Sequence, residues 1–126
     1  MRNKAFTLIE LMVVILIVGI LAAASVPLMR GRVDSAKWAE ANATAGTIRS
    51  AARVYFAEHG TVSKDWADLG FDTAAGDLAG TYFGPSDYEI TSVDSATGNV
   101  AVTVKGSKAN APKGSKTLSQ DGSTWQ

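Results

Sequence analysis

The amino-acid sequence predicts an α+β fold, in which one long N-terminal α-helix packs by its C-terminal half on a small antiparallel β-sheet. Three patterns lead to this prediction: an uncharged apolar run over residues 11–26, an alanine-rich stripe over residues 41–55, and two alternating runs between residues 88 and 105. The first run has the length and composition of a membrane-spanning helix. The stripe has helical spacing, and the alternation is typical of strands.

The composition excludes several classes of function. The 126 residues include 12 basic and 12 acidic side chains, one histidine and no cysteine. The absence of cysteine excludes disulfides, thiol nucleophiles and Cys-ligated metals, and the balanced charge is unlike that of a dedicated nucleic-acid-binding protein. The sequence also has no phosphate-binding glycine loop, nucleophile elbow or paired metal motif. We therefore expect no enzyme activity, no catalytic residue, no metal and no cofactor.

Residues 6–29 are the predicted membrane-spanning part of the helix. As a helix they would extend about 36 Å, more than the roughly 30 Å of a bilayer's hydrocarbon core. A cleaved secretory signal is the alternative, but the apolar run is longer than a signal core and it contains Glu10. A carboxylate in a membrane segment costs several kcal/mol unless it has a partner. Glu10 is therefore either hydrated at the interface or paired with a cation from another chain.

The segment from Lys4 to Pro27 reads KAFTLIELMVVILIVGILAAASVP. It resembles the N-terminus of type IV pilins and of the related type II secretion pseudopilins. The resemblance implies the pilin fold and a short basic leader, residues 1–5, that a membrane prepilin peptidase removes by cutting between Ala5 and Phe6. It also implies methylation of the new Phe6 amine. The family usually has glycine before the cut, where this sequence has Ala5.

The resemblance also assigns assembly roles within the helix. Glu10 matches the family's glutamate, which implies that it faces the Phe6 amine of a neighbouring subunit in a filament. Gly19 and Pro27 match the residues that weaken the family's helix. Proline lacks an N–H and crowds the carbonyl four residues earlier, and glycine adds backbone freedom. We expect residues 19–27 to be the weakest part of the helix, either as a simple kink or as a segment that unwinds on assembly.

Residues 30–126 are the predicted globular part, beginning with a helix over residues 30–58. Its apolar stripe consists of Ala41, Ala45, Ile48, Ala52 and Tyr55. Because alanine is small, another element can approach this stripe closely. The pair His59-Gly60 is a helix stop, since glycine readily adopts the left-handed cap conformation. Residues 60–87 form the predicted connecting loop.

Antiparallel strands are predicted over residues 88–125. In the first hairpin, one strand carries Tyr88, Ile90 and Ser92 on one face. We expect the second strand to pack its valine face on the alanine stripe, through Val100, Val102 and Val104. The Asp121-Gly122 pair indicates a tight turn that returns the C-terminal tail. Because the chain has no cysteine, we expect packing by Trp125 to hold this tail.

Residues 105–116, with the sequence KGSKANAPKGSK, form a basic segment. It contains no acidic residue, and its four lysines are Lys105, Lys108, Lys113 and Lys116. A solvated loop is one interpretation. A weak contact with DNA or another anionic surface is the alternative, and such binding would weaken steeply with added salt.

Together these features predict a structural subunit that polymerises into a type IV pilus-like surface filament through its N-terminal helix. The resemblance implies as partners other copies of the chain, a prepilin peptidase/N-methyltransferase and the pilus assembly machinery. We expect a single-pass protein of the inner membrane before assembly and an extracellular pilus afterwards. The alternatives are a pseudopilin of a secretion or DNA-uptake system, a minor pilin, and a membrane-anchored binding module that does not polymerise.

Overall fold

The computed structural model describes residues 5–126, so residues 1–4 of the predicted leader lie outside the described residues. The elements are α1 (Leu8–His59), a short 3₁₀ helix (Pro85–Asp87), and strands β1 (Tyr88–Asp94), β2 (Asn99–Lys105) and β3 (Ser115–Leu118). The chain divides into two compact units, Met1–Ser35 and Ala36–Gln126, and α1 contributes to both. A long helix followed by a small antiparallel sheet confirms the predicted α+β class.

The second half of α1 supplies one buried face. The buried residues recur every three or four positions, as expected for one side of a helix, and they are Trp38, Ala41, Ala45, Ile48 and Ala52. The predicted stripe is therefore confirmed, with Trp38 as an additional member and Tyr55 partly buried beside it. The helix ends at His59, and Gly60 follows with φ +71°. A residue that has a side chain rarely adopts this backbone conformation, so glycine is suited to the position.

The sheet is antiparallel, with strand order β1-β2-β3. Tyr88 pairs with Val104 across the first hairpin, and Val102 pairs with Leu118 across β2 and β3. The predicted hairpin and the third strand are both confirmed. On the face of the sheet opposite the core valines of β2, three threonine hydroxyls form a ladder across the strands. Thr103 Oγ1 lies 3.1 Å from Thr91 Oγ1 and 2.8 Å from Thr117 Oγ1.

A β-bulge in β1 corrects the predicted alternation. The pairing register shifts between Ile90 and Ser92, so that Ser92 lies opposite Ala101 and Val93 lies opposite Val100. The prediction that Ser92 shares a face with Tyr88 and Ile90 is therefore wrong. The extra residue of a bulge inverts the alternation beyond it. As a result, Val93 packs against the core while Ser92 is exposed.

One apolar core joins the helix, the loop and the sheet. Besides the helix residues, its buried members are Leu69, Phe83, Tyr88, Ile90, Val100, Val102, Val104 and Leu118. The valine face of β2 thus belongs to the same core as the alanine stripe, as predicted. Apolar surface buried in this way contributes about 25 cal/mol per Å² to stability.

The C-terminal tail packs against the core through Trp125, the residue expected to take the place of a disulfide. The Trp125 ring lies 6.0 Å from the Trp38 ring in an edge-on arrangement. Trp125 also forms an isolated bridge with Leu118. Next to it, the Thr117 N–H donates to the Gln126 carbonyl at 2.6 Å, and the Gln126 N–H donates back at 3.2 Å. These contacts close the tail onto β3.

Candidate assembly site

Residues 6–29 expose large apolar side chains throughout. Their exposed fractions run from 46% at Val13 to 80% at Phe6. The most apolar 18-residue window in α1 has a mean hydropathy of 2.8 and none of it is buried. By length and composition this part of α1 is able to cross a membrane. An isolated chain in water cannot keep such a surface without a large hydrophobic penalty.

Glu10 forms a capping box with Thr7 at the start of α1. The Thr7 N–H donates to Glu10 Oε2 at 2.9 Å, and the Thr7 hydroxyl donates to the same oxygen at 3.2 Å. In return, the Glu10 N–H donates to Thr7 Oγ1 at 3.2 Å. Backbone N–H groups that lack a partner within the helix are satisfied in this way. Sequence reasoning missed this role, although the spacing Thr-x-x-Glu before an apolar run is its usual signature.

The predicted cleavage point lies just outside the helix. Ala5, Phe6 and Thr7 have no regular secondary structure, and α1 begins at Leu8. Ala5 and Phe6 are both exposed. The peptide bond between them is therefore not part of a helical hydrogen-bond ladder.

Gly19 and Pro27 both lie within α1. The helix runs without a break from Leu8 to His59 and includes Pro27 in its interior. Proline leaves the carbonyl of Ala23 without its helical donor. Two residues before Pro27, the Ser25 hydroxyl donates to the Leu21 carbonyl at 2.8 Å. The helical state thus includes both residues, and their predicted role in weakening the helix stays a prediction.

Comparison with known proteins extends these observations. The family model of the prokaryotic N-terminal methylation motif matches residues 1–26. The chain is 36% identical over 126 residues to the type IV major pilin protein PilE of Neisseria gonorrhoeae, covering 96% of this chain and 71% of that protein. It is also 37% identical over 123 residues to the fimbrial protein EcpC of Eikenella corrodens, covering 95% and 74%.

The chain belongs to the type IV pilin family. A third relative, the type IV narrow pilus major component PilA5 of Thermus thermophilus, is 53% identical over 51 residues, which is 40% of this chain and 44% of that protein. Since these relatives are named as major pilins and fimbrial proteins, the alternative of a secretion pseudopilin is not favoured.

The basic segment of this pilin is partly occupied by contacts within the chain. The Lys108 ammonium donates to the Gly80 carbonyl at 2.6 Å. The Lys116 ammonium lies 5.9 Å from the ring centroids of both Trp38 and Trp125, which is within cation–π range. Two of the four lysines therefore have partners in the fold. The predicted weak contact with DNA or an anionic surface stays a prediction.

In the connecting loop over residues 60–87, two carboxylates hold local turns. Asp65 accepts the N–H of Ala67 at 2.9 Å, and Asp72 accepts the N–H groups of Ala74 and Ala75 at 3.0 Å. Within residues 5–126 there is no group of three or more histidine, cysteine or acidic side chains that would suit a metal ion.

Two further carboxylates, those of Asp94 and Asp121, stabilise turns that follow strands of the sheet. The Ser119 hydroxyl donates to Asp121, as do the N–H and hydroxyl of Ser123, and these bonds hold the pKa of the Asp121 carboxyl well below its usual range. The Thr97 hydroxyl donates to Asp94 at 2.6 Å and lowers the pKa of that carboxyl as well. Each of these hydrogen bonds favours the charged form of the acid.

Proposed function

We propose that this pilin is the structural subunit of a type IV pilus-like filament and polymerises through residues 6–29. The observation that carries the proposal is the exposure of the large apolar side chains in that segment. Such a surface needs either lipid or other copies of the chain around it. The relatives named as major pilins and fimbrial proteins support the second environment as the final one.

The proposed first stage is an inner-membrane protein with one membrane span. The apolar window of α1 supports this stage by its length and hydropathy. A prepilin peptidase would then cut between Ala5 and Phe6, in the non-helical stretch before Leu8. The methylation-motif match over residues 1–26 supports both the cut and the methylation of the Phe6 amine.

The proposed second stage is transfer of the helix from lipid into a bundle of identical helices. In lipid the apolar surface is already hidden from water, so packing against other copies gains less than transfer from water would. For this reason we expect an assembly machinery that drives extraction. Residues 19–27 are the proposed point at which the helix yields, because Pro27 removes a helical hydrogen bond there.

Glu10 is proposed to change partners between the two stages. In the single chain its carboxylate accepts two hydrogen bonds from Thr7. Cutting before Phe6 creates an ammonium group close to the positive end of the helix dipole, where a cation is disfavoured unless a carboxylate faces it. In the filament, Glu10 of one subunit would supply that carboxylate to its neighbour. Loss of one member of a dry ion pair costs about 3–5 kcal/mol, so the pair would select the register of packing.

Two substitutions separate the ion pair from the helix cap. Glu10→Gln keeps the side-chain acceptor that a capping box requires but removes the charge, whereas Thr7→Ala removes the cap hydroxyl and keeps the charge. We expect filament yield from cells to fall at least about 100-fold in Glu10→Gln and to stay within about threefold of the parent in Thr7→Ala. Immunoblots of membranes and of sheared surface material measure the inserted and assembled pools.

The opposite ranking of the two variants would contradict the ion-pair proposal and assign Glu10 to helix capping alone. Equal membrane levels in all three strains serve as the control for insertion. If the parent chain itself gave no sheared filaments and kept an uncut N-terminus, the alternative of a non-polymerising membrane anchor would replace the proposal. Filaments that hold only a few copies of the chain would assign it instead as a minor pilin.

A further inference from the structure

A short turn, Gly80–Phe83, is held on its N–H side by a single carboxylate from α1. Glu40 Oε1 accepts the N–H groups of Tyr82 at 3.0 Å and Phe83 at 3.2 Å, and Glu40 Oε2 accepts the N–H of Thr81 at 3.2 Å. Three N–H donors on one carboxylate form a charge-assisted set, in which each bond is stronger than one between neutral groups. This role was not predictable from sequence, since Glu40 resembles any other polar position on a helix.

The carbonyl side of the same turn is held by the basic segment. The Lys108 ammonium donates to the Gly80 carbonyl at 2.6 Å, and the Asn110 amide donates to the Thr81 carbonyl at 3.3 Å. From α1, the Lys37 ammonium donates to the Asn110 carbonyl at 2.8 Å. The turn therefore lies between a negative group that faces its N–H groups and a positive group that faces a carbonyl.

The turn carries a core residue at its end. Phe83 is fully buried, with its ring centroid 5.3 Å from that of Trp38 and 6.3 Å from that of Tyr88. A Cβ on Gly80 would overlap the Glu40 carboxylate, so glycine is required for the close approach. Holding the turn thus also places Phe83 in the core.

We propose that Glu40 and Lys108 act as one ion pair bridged by the peptide groups of Gly80–Phe83, and that this bridge straps the loop over residues 60–84 and the basic segment onto α1. The peptide dipoles of the turn point their N–H ends at the carboxylate and a C=O end at the ammonium, so each charge polarises the groups that bind the other. Lys108 is then a positioning residue of the fold. It is not a free cation for polyanions.

Amide hydrogen exchange in the full-length chain, held in detergent micelles and observed by NMR, tests the strap directly. In Glu40→Gln we expect the amides of Thr81, Tyr82 and Phe83 to exchange at least about tenfold faster, because a charged acceptor of three bonds is lost. The matched control is Glu58→Gln, which changes an exposed glutamate on the same helix. Equal exchange at the three amides in both variants would overturn the proposal.

Gly80→Ala gives a second route to the same state without changing any charge. Its added methyl group displaces the Glu40 carboxylate, so we expect the exchange pattern of Glu40→Gln to be reproduced. Gly84→Ala is the matched control, because a Cβ there meets only Lys108 Cε at 3.8 Å, an ordinary contact. Unchanged exchange in Gly80→Ala would contradict the placement of Glu40 over the turn.

A double-mutant cycle tests the coupling between the two charges. If the turn bridges them, Lys108→Met accelerates exchange at Thr81–Phe83 much less in the Glu40→Gln background than in the parent chain. Lys113→Met, which changes an exposed lysine of the same segment, should have little effect in either background. Accelerations that simply multiply in the double variant would show that Glu40 and Lys108 act independently, and the bridged pair would be rejected.

Discussion

Ile15 and Ile48 lie on the same α-helix, yet 70% of the Ile15 surface is exposed whereas none of the Ile48 surface is. The contrast extends to the residues around them. Residues 6–29 expose their large apolar side chains, while the second half of α1 buries its own in a core shared with the sheet. The globular unit thus buries its core within one chain. The apolar segment has no such cover from its own chain and needs other molecules to bury it. A subunit that folds first and assembles later requires this separation.

The same substitution in the two regions gives the largest expected difference. Ile48→Ala removes a fully buried side chain, so we expect the globular unit to lose about 4 kcal/mol of stability, with unchanged membrane insertion. Ile15→Ala should change that stability by less than about 0.5 kcal/mol. Denaturant unfolding of the full chain in micelles, followed by tryptophan fluorescence, measures both. Equal losses would contradict the separation of the two regions.

The C-terminal tail gives the next effect, because packing takes the place of a disulfide there. In Trp125→Ala we expect a loss of about 2 kcal/mol, since the edge-on contact with Trp38 and the cation–π contact with Lys116 both disappear. The amide hydrogens of Thr117 and Gln126, which bond the two backbones to each other, should exchange faster with solvent at the same time. Trp66→Ala is the control, because it removes a partly buried tryptophan from a different loop. A stable Trp125→Ala variant with an unchanged tail would show that the tail does not depend on Trp125.

A pair of glycine substitutions sharpens the comparison within the globular unit. Gly98 has φ +74° and lies against the Phe56 side chain, so Gly98→Ala should destabilise by about 1–2 kcal/mol through strain and overlap. Gly46 lies inside α1 with open space around its Cα, and Gly46→Ala should stabilise by about 0.5–1 kcal/mol. The midpoints of chemical unfolding show whether each variant is less or more stable than the parent. Changes in stability of the same sign in both variants would contradict the geometry.

The smallest predicted effect is a local dependence on pH. Because the pKa of Asp121 is lowered, its stabilising hydrogen bonds are fully present above the ordinary value of 3.8 and persist as the pH falls through it. They should be lost only at lower pH, when the folded carboxyl takes up a proton. An NMR titration of the Asp121 carboxyl carbon checks this. A midpoint at or above 3.8 would rule out the hydrogen-bonded turn.

Much of the fold was predictable because its signals are local. The helical spacing from Ala41 to Ala52 and the alternation over Val100–Val104 gave the right elements and the right core faces. The β1 bulge was not predictable from alternation alone, since a period-two pattern assumes one residue per pleat. Here the core accepts Val93 rather than Ser92, and tertiary packing decides the register.

The assembly segment was predictable in part and for a different reason. Its apolar length and its single carboxylate are visible in the sequence and led to Glu10, whereas Phe6 followed from the resemblance to type IV pilins. The pairing of Glu10 with Thr7 was also predictable, because Thr-x-x-Glu before an apolar run is the pattern of a capping box. Glu40 was beyond the reach of sequence reasoning, because its three N–H donors come from a loop about 40 residues away along the chain.

Electron microscopy of sheared surface material, combined with mass spectrometry of its subunit, tests most directly whether residues 6–29 are buried by other copies of this chain. We predict filaments built from this chain, with a subunit that begins at Phe6 and carries one methyl group on its amine. Cells that retain the chain in the membrane with Met1 intact, and that shed no filament containing it, would contradict the account.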